Sequence, residues 1–231
     1  MCATTSEVQW RHRPLLYYAI SHGVGKNVFT PAVMRSKGFE RGVHAGRWEL
    51  SYWHRPALEI FSQREALVFI HGVGFGPAPY ADFVDSIAGA DTHAVVLELD
   101  GVAQRVFSRT PSPDDFAAAL DGALSDLGIS RAVLVGHSLG SAFASYAASR
   151  DARRAGALPG GMGGGRYSGL VFIDPIAANL HHARTVREFV FTPVETMQQS
   201  VEDFLFKKVN SLSAPNLLPC PKLAACLALP Y

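Results

Sequence analysis

The chain has 231 residues, with 21 basic and 20 acidic side chains and a formal charge of +1. At 48% hydrophobic and 18% charged it is too apolar and too weakly charged for a disordered chain. It also lacks the basic excess with which nucleic-acid binders neutralise phosphates, and its length suits one α/β unit.

Cys2, Cys220 and Cys226 are too few for a disulfide framework, and no zinc-type spacing surrounds the last two. Reduced thiols imply an intracellular, cytoplasmic setting, and MCATTSEVQWRHRP does not read as a secretory signal. No apolar run reaches the roughly 18 residues of a membrane span. Pro14 to Ile20 (PLLYYAI) reads as a helix packed on the domain, with contact to a membrane surface as the other reading.

In chain order, Arg47 to Trp53 and Ala57 to Ser62 read as an antiparallel pair around a His54-Arg55-Pro56 turn. Ala66–Ile70, Ala94–Leu99, Ala132–Val135 and Leu170–Ile173 are continuous apolar runs, the pattern of strands buried on both faces of a parallel sheet. Between them, Ser112-Pro113-Asp114-Asp115 has the order of a helix N-terminus: cap, proline in the first turn, then acids beside the positive end. Phe116, Leu120, Leu124 and Leu127 share one face of that helix, and Gly128 stops it. Strand and helix alternating this way predict an α/β fold, a mainly parallel sheet with helices on both faces.

A helix from Leu139 to Ser149 follows, then a glycine-rich surface loop over Arg150 to Gly169. A further helix starts at Thr192, where Thr192 and Glu195 have capping-box spacing and Pro193 takes the first helical position. The tail is broken by Pro215, Pro219, Pro221 and Pro230.

Two motifs carry chemistry. Gly136-His137-Ser138-Leu139-Gly140 sits between a buried strand and a helix, the setting in which G-x-S-x-G strains its serine and presents the hydroxyl at a helix N-terminus. His71-Gly72-Val73-Gly74-Phe75-Gly76 follows the strand Ala66–Ile70, so its backbone can aim an N–H into the same crevice. The amides of Val73 and Leu139 are then the candidate oxyanion donors. A plain glycine turn is the competing reading of the second motif.

With the strand that ends at Asp174-Pro175, these motifs resemble the α/β-hydrolase family over roughly residues 45 to 180. RHRPLLYYAISHG, YWHRP and HGVGFGPAPY further resemble fungal and algal hydrolases with an N-terminal helical extension. The resemblance implies an extension over residues 1–40, a hydrolase core over 41–180, and a lid-like helix with an irregular tail over 181–231. It also implies a serine hydrolase of esterase or lipase type: Ser138 attacks a small-molecule acyl ester or similar carbonyl, with no cofactor and no metal. The family order of serine, acid, histidine leaves Asp174 as candidate acid and His182, with His181 beside it, as candidate base, the competing reading being a surface pair of histidines. Asp174 alternatively caps a loop. His71 and His137 match family positions that support loop packing. The family's later strands are not recognisable, so the C-terminal strands are expected to be missing. That motivates a second reading: an inactive, truncated chain of this fold with at most a binding role. Phe75 and Tyr80 line an acyl pocket or pack in the core.

Overall fold

The structure, a computed structural model, describes residues 14–57, 65–106, 109–156 and 165–175 and the backbone of 228–229. All of them fall in the unit formed by Trp10–Ala177 and Ala228–Tyr231. The Ala57–Ser62 strand (beyond Ala57), the centre of the glycine-rich loop, the Thr192 helix, His181 and His182 lie outside the described residues.

The chain enters through α1 (Leu15–Tyr18), a π-helical stretch (Ala19–Phe29) and α2 (Thr30–Ser36). An antiparallel pair follows, β1 (Glu40–His44) and β2 (Leu50–Arg55). This corrects the expected hairpin. The turn lies upstream of β2, and His54 and Arg55 are strand residues because β2 pairs along its length with β4, His54 opposite Val95 and Arg55 opposite Ala94.

The parallel strands are β3 (Ala66–Ile70), β4 (Ala94–Glu98), β5 (Ala132–His137) and β6 (Tyr167–Ile173). The sheet order is β1-β2-β4-β3-β5-β6-β7, where β7 (Ala228–Leu229) runs antiparallel to β6 at Leu170 and Val171. The mainly parallel α/β sheet expected from the apolar runs is present. Alternation divides its side chains: Val68, Ile70, Val95 and Leu97 meet Phe116, Leu120 and Leu124 on one face, while Phe69, Val96 and Val135 meet Met34 and Val84 on the other.

Accordingly α4 (Pro113–Asp126) and α5 (Leu139–Arg154) cover the first face, and α2 with α3 (Ala81–Ala88) covers the second. The α4 signals act as read: the Ser112 hydroxyl accepts from the Asp115 N–H at 3.0 Å, and Gly128 has φ +68°. α5 overruns its expected end at Ser149. Arg153 and Arg154 extend it at its negative end, and β6 starts at Tyr167, so the loop between them is shorter than the composition suggests.

Candidate active site

Ser138 stands between β5 and α5 with φ 50° and ψ −119°, a strained backbone for a residue with a side chain. Two glycines make that turn packable. A Cβ on Gly140 would lie 2.0 Å from the Ile70 carbonyl oxygen, and one on Gly136 would lie 2.7 Å from the Gly140 carbonyl oxygen. Helix α5 therefore sits directly on the ends of β3 and β5. The Ser138 N–H donates to the Ile173 carbonyl at 2.9 Å, which ties the turn to the neighbouring strand. Its carbonyl accepts from the Ser141 N–H (3.0 Å) and hydroxyl (2.6 Å). Ser138 is 3% exposed, and Leu139 is the first residue of α5.

The loop after β3 lies against this serine. A Cβ on Gly72 would come within 2.8 Å of Ser138 Cβ and 3.1 Å of His137 Nδ1, so only glycine fits. Its neighbour His71 is fully buried and uses both ring nitrogens: Nε2 accepts from the Leu99 N–H at 3.1 Å, and Nδ1 donates to the Gly72 carbonyl at 2.8 Å. Those partners fix the neutral tautomer. Burial, above all, lowers its pKa from 6.5 to about 4. His71 thus fastens the loop and leaves no lone pair for Ser138. The Gly74 N–H donates to the Val102 carbonyl at 3.0 Å, pinning the loop to the turn Asp100–Val102, while Val73 and Phe75 are exposed.

His137 has its Nδ1 3.0 Å from the Tyr80 hydroxyl, and the Tyr80 ring packs on Phe69 and His71. Burial raises the Tyr80 pKa. Tyr80 therefore packs in the core around the site. Asp174 follows β6 with φ 47° and is exposed. Because His137 pairs with Ile173, Asp174 is placed beside Ser138 at the sheet's carboxyl edge. Gly72, which precedes Val73, lies against Ser138, Leu139 follows Ser138 in the chain, and Asp174 follows the strand residue paired with His137. His182 lies outside the described residues.

Sequence reading missed the support beneath the loop. Glu98 and Arg105 form an ion pair with side chains 0% and 1% exposed. Arg105 also donates to Thr30 at 2.9 Å, and Glu98 accepts from Trp53 at 3.2 Å. A charge ending an otherwise apolar strand was the available signal, since such a charge needs a partner. Arg105 closes on Gly76 (φ +84°), where a Cβ would be 2.9 Å from a guanidinium nitrogen. A cavity of about 600 Å³ is lined by the Asp100–Val102 turn with Trp48, Leu99, Val106 and Phe143 among others. Ser138 is not on its wall. Among the described residues, no cluster of three or more His, Cys, Asp or Glu could hold a metal.

A parallel sheet in this order, with a positive-φ serine between its central strand and a helix, defines an α/β protein built around a strained serine turn. The profile of the alpha/beta hydrolase family matches residues 67–223. The chain belongs to that family. Similar solved structures include the naproxen esterase of Bacillus subtilis (16% identity, 73% of this chain and 52% of that one, TM-score 0.48). A carboxylesterase from the same organism gives 17% identity over 66% and 50% of the two chains, with a TM-score of 0.45. An esterase of Rhodococcus gives 19% over 60% and 46%, at 0.43. The chain spans about half the length of these proteins. No curated protein matches it.

Proposed function

We propose that the chain is a serine hydrolase of esterase or lipase type, acting on a small-molecule acyl ester or similar carbonyl. The observation that carries this reading is the left-handed backbone of Ser138 with Gly72 seated on its Cβ. That arrangement suits a nucleophile beside a backbone donor. The Ser138 oxygen attacks the carbonyl carbon, and its proton passes to a base. The resulting oxyanion lies between the Val73 and Leu139 amides. The alcohol then leaves with the proton, and water repeats the sequence on the acyl-enzyme. In this reading Asp174 is the acid and His182 the base, the latter assigned from chain order alone.

A second reading has its own observation. Both nitrogens of His71 are engaged away from Ser138, and Nδ1 of His137 faces Tyr80. If no base reaches the serine, the fold binds a carbonyl compound without turning it over.

A fluorophosphonate probe separates the two. Hydrolysis requires labelling of the wild type that Ser138→Ala abolishes, with ester turnover falling at least about a thousandfold. Equal labelling of the two proteins would overturn the proposal and leave the binding reading.

A further inference from the structure

The helical segment Leu15–Phe29 lies on the body the wrong way round for a water-facing helix. None of its residues is buried. The side turned inward is polar: the Ser21 hydroxyl donates to the Gln104 carbonyl at 2.9 Å, and Lys26 pairs with Asp100. His22 on the same side has its Nδ1 buried without a hydrogen-bond partner. The large apolar residues point away, with Leu15 86%, Leu16 69%, Ile20 55%, Val24 52%, Val28 61% and Phe29 55% exposed. Leu16, Ile20, Val24 and Val28 follow at steps of four residues, close to one turn of the wide π-helix, and so fall along one stripe. Water is a poor solvent for such a stripe, and a contiguous exposed apolar patch marks a binding surface.

Charge selects the occupant. Between Glu7 and Glu40 the sequence has no carboxylate, yet it holds five cations: Arg11, Arg13, Lys26, Arg35 and Lys37. Asp100 neutralises Lys26, and Asp82 and Asp85 neutralise Lys37, while Arg35 is exposed in the last turn of α2, the helix that follows the segment. A second copy docked on the stripe would set this carboxylate-free segment against itself. An anionic lipid surface instead meets Arg35 with opposite charge and the stripe with acyl chains. Tyr17 and Tyr18, packed edge to face at 5.6 Å and half-buried, suit the headgroup level. Among the described residues no helix is long and apolar enough to cross a membrane, so contact along the surface is the fitting geometry.

We propose that Leu15–Phe29 lies in the plane of an anionic lipid surface, with its outward apolar stripe inserted at the acyl boundary and Arg35 among the headgroups. The segment reaches Asp100 and Gln104, in the stretch that also holds the Gly72–Gly74 loop, so the lipid surface would run beside the candidate site. The proposal does not depend on Ser138 being active.

Flotation of the full chain with vesicles tests it. One set contains equal parts phosphatidylcholine and phosphatidylglycerol, and the other contains phosphatidylcholine alone. The wild type should float with the anionic set, less so at high salt, and the bound fraction should fall at least about tenfold in L16E/I20E/V24E. Because those side chains are already exposed, the variant should melt as the wild type does. If it does not, Arg35→Glu decides, since it leaves the stripe intact and should weaken only the anionic binding. Failure of the wild type to float with either set would overturn the proposal. So would a dimer, seen by sedimentation, that the triple variant dissolves without any vesicle binding.

Discussion

Helix α4 and the segment Leu15–Phe29 rest on the same body in opposite senses. α4 turns Phe116, Leu120 and Leu124 into the core and leaves Asp114 and Asp121 to pair with Arg150 on the outer side. The N-terminal segment turns Ser21, His22 and Lys26 inward and its leucine and valine stripe outward. α4 is held by burial, the dominant favourable term in folding. The segment is held by a few polar contacts, each worth about 1 kcal/mol or less. The difference teaches that the segment's apolar residues serve something other than the stability of the free chain.

Truncation on α4 should have the largest effect. Phe116 is fully buried and touches Trp48 and Phe143, with ring centroids 6.2 and 4.8 Å away. Phe116→Ala should lower unfolding free energy by about 3–5 kcal/mol in urea titration, the transfer and cavity cost of a core phenylalanine. A loss below about 1 kcal/mol would mean that α4 is not the anchored helix of the two.

Acid should attack the body next. The folded pKa of His71 is about 4, below the unfolded value of 6.5, so between these values the unfolded chain binds the extra proton. The contribution of His71 is complete above pH 6.5 and is lost as pH falls through that window toward 4. By about pH 5 the loss should reach about 2 kcal/mol. In urea titrations at about pH 7 and pH 5, His71→Asn should shrink the difference. It should not abolish it, because His54, half-buried beside His93, has its pKa lowered to about 4 as well. An unchanged difference would show that His71 does not carry it.

The sequence disclosed the body better than the segment, for a physical reason. Buried strands such as Ala66–Ile70 and the cap at Ser112 are local signals, and the structure follows them. Gly136, Ser138 and Gly140 form a local motif too, since the turn's geometry lies within five residues. What stayed hidden was non-local. The β1 partner of β2 comes from a polar run, Glu40–His44, with no apolar alternation, and Glu98 meets Arg105, which in turn reaches Thr30 in a separate element. For Leu15–Phe29 the sequence reading was incomplete. PLLYYAI reads as a helix packed on the domain, with a membrane surface as the other reading, and only the directions of Ser21 and Lys26 show which side faces in.

The smallest effect is the most telling. Ile20 and Val24 are 55% and 52% exposed, so replacing both with serine removes little apolar surface from contact with the body. Ile20→Ser/Val24→Ser should therefore change unfolding free energy by no more than about 0.5 kcal/mol, the range of ordinary surface substitutions. Set beside Phe116→Ala, that near-zero value would show two apolar helix faces in one chain with unrelated stability roles. A loss of 2 kcal/mol or more, about the cost of a buried side chain, would mean that the stripe is covered in the free chain. The comparison with α4 would then collapse, because both helices would be held by their apolar sides.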